Sequence, residues 1–400
     1  MRVLQLCHKA PYPPRDGGSI AMNNLTQGLI NLGHEVQVLA INTPNNFIDI
    51  TTLDSNYREK TNIQVTYQDT SIKVGKAFMN LFSDRSYNIE RFISKDFETL
   101  LFQFLSDNKY DIVLIESLFI APYLQLIRKM SDAKVVLRAH NVEFEIWKRR
   151  YLACKNPIKK TYLKLLAKRL KSYEISLLNQ YDAIASITPR DTKIFKDLGC
   201  GLPMTDIPVG IDQEKFDSPI RVTSNVPISL FHLGSMDWMP NMEAIEWFLT
   251  AIWEETKIAV PDIKLHLAGK NMPNHLLQQK DPDISVEGEI TNALDYIGEK
   301  GIMIVPLLSG SGMRVKIIEG MAMGKMIIST SIGAEGIAYE HEKNILIANT
   351  PEEFVQMIKR AANDATFCQS VGSEARELVK RKYENAGISK KLLDFFHSIL

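Results

Sequence analysis

Short apolar runs recur along the chain, and most are followed by a longer stretch with apolar positions three or four apart. In the first half the runs are Val3–Cys7, Val36–Ile41, Ile112–Ile115, Lys134–Leu137 and Ala183–Ile187, and they read as strands. Helical spacing fills the gaps, notably Ile20–Leu32 and a long segment Ile158–Leu178. Residues 45–69 are polar and loop-rich, with one further strand expected at Ile63–Tyr67. After Pro208 a stretch without periodicity (PVGIDQEKFDSPIRVTSNVP) reads as a linker. A second series follows: Ile228–Leu233, Ile263–Leu267, Ile284–Val286, Ile302–Val305, Met326–Ser329 and Ile345–Ile347. Strand and helix alternating in this way predict α/β layers built on parallel sheets.

The expected organisation is two doubly wound, Rossmann-like domains, 1–210 and 211–383. Ligands on such sheets bind at the carboxyl ends of the strands, so two facing domains would form an interdomain cleft. The closing helix within 384–400 is amphipathic and fits either domain; one assignment joins it to the first.

Composition narrows the function. The 400 residues carry 47 Lys plus Arg and 47 Asp plus Glu, so formal net charge is zero. A globally basic nucleic-acid binder is not indicated, and no nucleic-acid partner is expected. Cys7, Cys154, Cys200 and Cys368 are scattered, with no metal-ligand spacing, which fits a reduced cytoplasmic setting and no metal. The amino-terminal residues do not read as a signal peptide, and no run reaches a transmembrane length. The expectation is a cytoplasmic protein, soluble or peripheral on the inner face of a membrane.

The chemistry concentrates in IMIVPLLSGSGMRVKIIEGMAMGKMIIST. A strand stops at Pro306, Gly310 and Gly312 flank Ser311, and a helix carrying Arg314, Lys316 and Glu319 follows. A strand, a glycine turn and a helix start leave backbone N–H groups pointing outward, which makes an anion site. Two cations there oppose the helix dipole, by up to about 1 kcal/mol each, and a bound phosphate would reconcile them. A plain αβ turn with Ser311 as N-cap is the alternative. Gly17 and Gly18 lie between the first strand and a helix expected to begin near Ser19, again at a strand end.

His140 follows the strand at 134–137, with Asn141 and Glu143 beside it. A histidine at such a strand end can donate a hydrogen bond to a substrate hydroxyl or phosphate, or titrate near neutrality. Residues 146–173 hold ten Lys or Arg and no acid; Lys160, Lys164, Lys168 and Lys171 share one helical face, and Leu163, Leu166 and Leu170 another. That one-sided charge, over residues 148–171, suits an anionic membrane surface or a solvated surface helix. Asp281, Pro282 and Asp283 form a DxD that precedes its strand and reads as loop.

These motifs, in order, resemble those of the family 4 glycosyltransferases, with the glycine turn, the His140–Asn141 pair, PVGID at 208–212, HLGSM at 232–236, LAGKN at 267–271, VEGEI at 286–290 and the Glu319 helix all contributing. The resemblance spans nearly the whole chain. It implies the GT-B fold and retaining transfer of a sugar from a nucleotide-diphosphate donor to a glycan or lipid-linked hydroxyl, in surface polysaccharide synthesis, with neither cofactor nor metal. It implies that His140 and Glu319 are catalytic, with Glu319 accepting from the donor ribose, and that Gly17, Gly18, Gly234, Ser235, Val286, Gly310, Ser311, Gly312, Met313, Arg314 and Lys316 contact the donor. Asn141 and Glu143 would meet the acceptor. Two departures stand out. Ser311 occupies the position of the family's first glutamate, and GSMDWMPN after the second domain's first strand lacks the usual Arg and Lys. Arg314 and Lys316 are expected to supply those charges. A nucleotide-sugar epimerase and a non-catalytic partner subunit are the competing readings.

Overall fold

The apolar runs become strands because a parallel sheet covered on both faces needs side chains that tolerate burial on each side. In this computed structural model the described residues are 1–216, 229–310 and 312–400. They divide into two units, Met1–Gly210 with Asn385–Leu400, and Ile211–Glu384.

The sheet of unit 1 contains β1 (Arg2–Cys7), β2 (Glu35–Asn42), β3 (Gln64–Tyr67), β4 (Ile112–Ile115), β5 (Lys134–Ala139), β6 (Ala183–Ser186) and β7 (Met204–Asp206). All pairs are parallel, in the order β3-β2-β1-β4-β5-β6-β7. Period-two alternation sends Leu4, Leu6, Val113 and Ile115 to one face and Val3, Cys7, Ile112 and Leu114 to the other. The first face is covered by helices that include Lys95–Asp107 and Pro157–Leu177. The second is covered by Gly17–Asn31, through Met22, Leu25 and Leu29, and by Asn385–Ile399, through Ile388, Leu392 and Phe396.

Gly28 sets how closely those two helices approach. A Cβ there would lie 1.8 Å from Ser389 Oγ. Asn385 Nδ2 donates to Asn24 O at 2.7 Å, and Asn24 Nδ2 donates to Gly210 O at 2.8 Å.

Unit 2 repeats the plan with β8 (Ser229–Leu233), β9 (Lys264–Ala268), β10 (Ile284–Gly288), β11 (Ile302–Val305), β12 (Ile327–Ser329) and β13 (Leu346–Ile347), in the order β10-β9-β8-β11-β12-β13. Strand order reverses between β1 and β4 in unit 1 and between β8 and β11 in unit 2. Those two switch points are where such sheets collect ligands.

The expected strands are present, each within two residues at either end, although Ile228 and most of the linker (217–228) lie outside the described residues. β7 was not anticipated. It is a three-residue edge strand, Met-Thr-Asp, paired on one side only, so it carries no apolar run. Among the described residues no helix is long and apolar enough to cross a membrane.

Candidate active site

At the switch point of unit 2, β8 ends in the turn Gly234–Trp238 and β11 in the bend 306–314, which leads into helix Val315–Ala322. Gly310 (φ 123°) and Gly312 (φ 77°) take backbone conformations that a Cβ disfavours. Gly310 also makes room for an arginine, since a Cβ there would sit 2.5 Å from Arg314 Nη2 and 3.2 Å from the Trp238 ring. Arg314 is the residue ahead of the helix and makes no side-chain cap. Its guanidinium folds back, donating to Gly312 O and lying over Trp238 at 5.2 Å. Ser311 lies outside the described residues, while Met313 is half-buried against the core of unit 2. The helix therefore starts after Arg314, not beside Ser311.

Lys316 sits in the first turn and faces inward. Its Nζ lies 3.0 Å from Leu233 O, 3.0 Å from Asn241 Oδ1 and 3.2 Å from His232 Nε2. His232 Nδ1 is 3.0 Å from Ile304 O, which assigns the proton to Nδ1 and leaves Nε2 as an acceptor. Burial, and then the Arg314 charge, pull the Lys316 ammonium down to about 7. The three ammonium hydrogens thus have three acceptors inside the protein. The expectation of two bare cations at the helix start needs correction: Lys316 braces the β8 turn, and Arg314 is packed on an indole.

Glu319 differs. Burial pushes its carboxyl up to about 7, and among the described residues nothing hydrogen-bonds that carboxylate. Ser309 Oγ, in the bend, donates to Glu243 Oε2 at 2.7 Å, which brings a second carboxylate to the site from helix Met239–Ala251. Ser235 Oγ donates to Asp237 Oδ1 at 2.5 Å, and Asn241 Nδ2 donates to Ser235 O at 2.9 Å. The ends of β8, β9 and β10 are pressed together. Gly269 N donates to Gly288 O at 2.7 Å, and a Cβ on Gly269 would be 1.9 Å from Gly234 O. Val286 is half-buried on the edge strand β10.

In unit 1 the helix after β1 starts at Gly17, two residues before the expected Ser19, because Asp16 caps it. Asp16 Oδ1 accepts from Gly18 N at 2.9 Å and Ser19 N at 3.0 Å, and Lys9 Nζ reaches both carboxylate oxygens at 2.6 and 2.7 Å. Burial opposes the ionised carboxyl, but Lys9 and the two N–H groups outweigh it and hold Asp16 below its usual range. The Gly18 amide expected to face phosphate already serves Asp16.

At the switch point stands a buried polar network. Glu116, the first residue past β4, is fully enclosed. Its Oε2 lies 2.7 Å from His140 Nε2 and 3.7 Å from Arg138 Nη1, and its Oε1 accepts from Gln5 Nε2 at 2.7 Å. Thr26 Oγ1 donates to Gln5 Oε1 at 2.6 Å, and Arg138 also donates to Ala21 O and Ile207 O. Burial would raise the Glu116 carboxyl, but Arg138 and His140 hold it below its ordinary value. For His140, burial outweighs the Glu116 bond and keeps the ring neutral. A neutral ring gives its one N–H to the carboxylate through Nε2, which leaves Nδ1 with a lone pair. The donor role expected of His140 is corrected accordingly; the ring is set to accept.

His8 lies 6.4 Å from the His140 ring, beside the stacked pair Phe92–Phe119, with its Nδ1 buried and unpartnered. Burial, then Lys9 and His140, press its pKa down to about 3.

Asn141 hydrogen-bonds Glu143, whose buried carboxyl is pushed up to about 7. Glu174 accepts from Glu143 N at 3.1 Å and Phe144 N at 3.0 Å and so caps helix Glu143–Ala153; burial, then Glu143, push it up to about 8. Glu143 is therefore packed at a helix start instead of being bare toward solvent. The DxD carboxylates are engaged as well, Asp281 with Trp253 and Lys257 and Asp283 with Lys264.

Sequence reading missed Glu116, His8, Glu243, Phe92 and Phe119. Glu116 carried a signal, as a carboxylate immediately after a wholly apolar strand.

Residues 227–364 match the family described as glycosyl transferases group 1. The whole chain is similar to an uncharacterized 44.6 kDa protein in the cps region of Klebsiella pneumoniae, 24% identical over 397 residues, which cover 96% of this chain and 97% of that one. Among solved structures it is similar to sucrose-phosphate synthase of Thermosynechococcus elongatus (TM-score 0.71, 16% identity, 100% of this chain and 99% of that one). It is also similar to HepE of Anabaena in complex with UDP-glucose (TM-score 0.68, 13% identity, 100% of both chains). A third is S. aureus TarM, solved as a point mutant with fondaparinux, alpha-GlcNAc-glycerol and UDP (TM-score 0.68, 11% identity, 99% of this chain and 100% of that one). At these identities the likeness establishes the shared architecture.

Proposed function

The chain has the GT-B fold and carries a group 1 glycosyl transferase domain in its second unit, and from that premise we propose that it is a retaining glycosyltransferase taking its sugar from a uridine-diphosphate donor. The carrying observation is Glu319, a shielded carboxylate at the switch point with no protein hydrogen bond among the described residues. A ribose diol would supply two donors to it. The amides of the bend at Gly310 and Gly312, with Arg314 once its contact to Gly312 O is exchanged, would meet the diphosphate. Gly234, Ser235, Val286, Met313 and the undescribed Ser311 complete the proposed donor contacts. Lys316 would act from beneath by holding the β8 turn and adding its charge.

In the proposed reaction the anomeric C–O bond breaks through an oxocarbenium-like state, the leaving diphosphate gains charge, and an acceptor hydroxyl adds to the same face, its proton passing to an oxygen of the departing diphosphate. Donors aimed at the leaving group supply about 3–4 kcal/mol each in comparable oxyanion sites. His140 Nδ1, kept as a lone pair by Glu116, would accept a hydrogen bond from a sugar hydroxyl. Gly17 and Gly18 would lie by the donor phosphates, and Asn141 and Glu143 would shape the acceptor side.

The acceptor is proposed to be a glycan or lipid-linked hydroxyl in surface polysaccharide synthesis, used at the cytoplasmic face of a membrane. The cps-region relative and the lysine-rich helix support that part. No cofactor is required, and the paired state of Asp281 and Asp283 supports a reaction without a metal.

Titration calorimetry with UDP tests the reading. Native protein should bind, Glu319→Ala should bind at least tenfold more weakly, and labelled UDP-sugar should be slowly hydrolysed. Native protein that neither binds UDP nor hydrolyses any nucleotide sugar would favour a partner subunit; isomerised sugar would favour an epimerase.

A further inference from the structure

Unit 1 holds an apolar cluster out in solvent. Phe78 and Met79 end helix Val74–Asn80 and Phe82 follows it, with exposures of 61%, 65% and 82%. Phe78 and Phe82 meet edge to face at 5.6 Å. The cluster is clamped from behind. Arg169, on helix Pro157–Leu177, donates to Asn80 O at 2.7 Å, Asn80 Oδ1 at 3.1 Å and Leu81 O at 3.0 Å. Asn80 is itself buried and donates to Glu90 at 2.8 Å. Rings fixed outward by a buried hydrogen-bonded anchor are the kind of surface that marks an interaction site.

The same helix brings charge beside them. Stepping about 100° per residue places Lys160, Lys164 and Lys168 within an arc of about 80°. Ile158 and Arg169 lie about 100° further round, across a crest of Thr161 and Ser172. Ile158 is 83% exposed. Among the described residues no carboxylate pairs with Lys155, Lys159, Lys160, Lys164 or Lys168. Of the acids near the rings, Asp69 is paired with Lys73 and Glu90 with Arg85, and Asp84, two residues after Phe82, is exposed and is the one negative charge there without an ion pair among the described residues. The surface therefore has an apolar flank, a small polar crest and a cationic flank.

We propose that this face docks unit 1 on a bilayer rich in anionic phospholipid. Phe78, Met79, Phe82 and Ile158 enter the boundary between headgroups and acyl chains, and the lysines lie over lipid phosphates. Lysines are compact charges on flexible stems and suit a fluid array of phosphates; a fixed phosphate would be met better by arginine forks. The proposal extends the membrane-facing part of the function above. Docking itself needs only unit 1, so it can fail while the transferase reading stands.

The test is flotation of the full chain with vesicles of phosphatidylcholine, alone or with about a third phosphatidylglycerol. The native protein should float with the anionic vesicles, weaken steeply with salt, and ignore the neutral ones. Phe78→Ser/Phe82→Ser should lose at least tenfold of that binding, and Lys160→Gln/Lys164→Gln/Lys168→Gln should lose at least as much. Both variants should keep native melting behaviour and native UDP affinity, which separates lost docking from lost fold or lost donor site. Equal binding to neutral vesicles, native flotation by the double Phe variant, or tight oligonucleotide binding without flotation would each overturn the proposal.

Discussion

At the residue scale the two half-shielded groups of unit 2 predict a pH profile. Glu319, with its carboxyl near 7, must ionise to accept from a ribose, so UDP affinity should rise with pH up to about neutrality. Lys316, also near 7, is depressed first by burial and then by Arg314. A diphosphate against Arg314 cancels that second effect, raises the bound-state pKa and draws a proton onto Lys316. Affinity should therefore fall as pH rises past about 7. Calorimetry across neutrality should show a bell, with Glu319→Gln removing the acid limb and Lys316→Met the alkaline one; a flat native profile would sink the assignment of both residues.

Glu116 makes the second residue-scale case. Replacing one partner of a buried ion pair leaves the other uncompensated, which costs about 3–5 kcal/mol. Glu116→Ala should lose that much in urea unfolding, with Arg138 and His140 left facing an empty position. Glu116→Gln/Arg138→Met should regain most of it, because no unpaired charge then remains in the interior.

At the element scale the contact between helices Gly17–Asn31 and Asn385–Ile399 has no slack at Gly28. An added methyl would meet Ser389 Oγ at 1.8 Å and Ser389 Cβ at 2.7 Å. Overpacking of this kind costs about 1–3 kcal/mol. Gly28→Ala should destabilise unit 1 by that order, and Gly28→Ala/Ser389→Gly should restore part of it; additivity of the two changes would mean the helices part without sensing the clash. Capping likewise shifts the start of an element. Asp16 moves the first helix back to Gly17, and Glu174 caps helix Glu143–Ala153 from 31 residues along the chain. The first cap is local and could be read in the sequence as an acid before a glycine pair. The second depends on two helices lying side by side.

For the molecule as a whole, unit 1 is discontinuous. Its second sheet face is closed by residues 385–400, reached only after the chain has passed through unit 2. Ile388, Leu392 and Phe396 are each worth about 1.5–3 kcal/mol in burial. Truncation after Glu384 should therefore lower the melting of unit 1 by many degrees and leave the transition of unit 2 near its native position. Scanning calorimetry on the truncated chain checks this; a loss shared equally by both transitions would contradict it.

The periodic apolar pattern by itself determined the strands, their parallel arrangement and the two-sheet plan, because burial on both faces forces continuous apolar runs that polar loops interrupt. It also marked the glycine bend and His140, since each sits directly after such a run. It could not reach β7, whose three residues carry no pattern, nor the helix against which residues 385–400 pack, because an amphipathic stripe does not name its partner. Side-chain direction was out of reach for the same reason. That Lys316 turns inward to three acceptors, that Glu116 takes the only N–H of His140, and that Phe78 and Phe82 face solvent all follow from contacts between residues far apart in sequence. Distance and burial set those energies, and the fold alone fixes both.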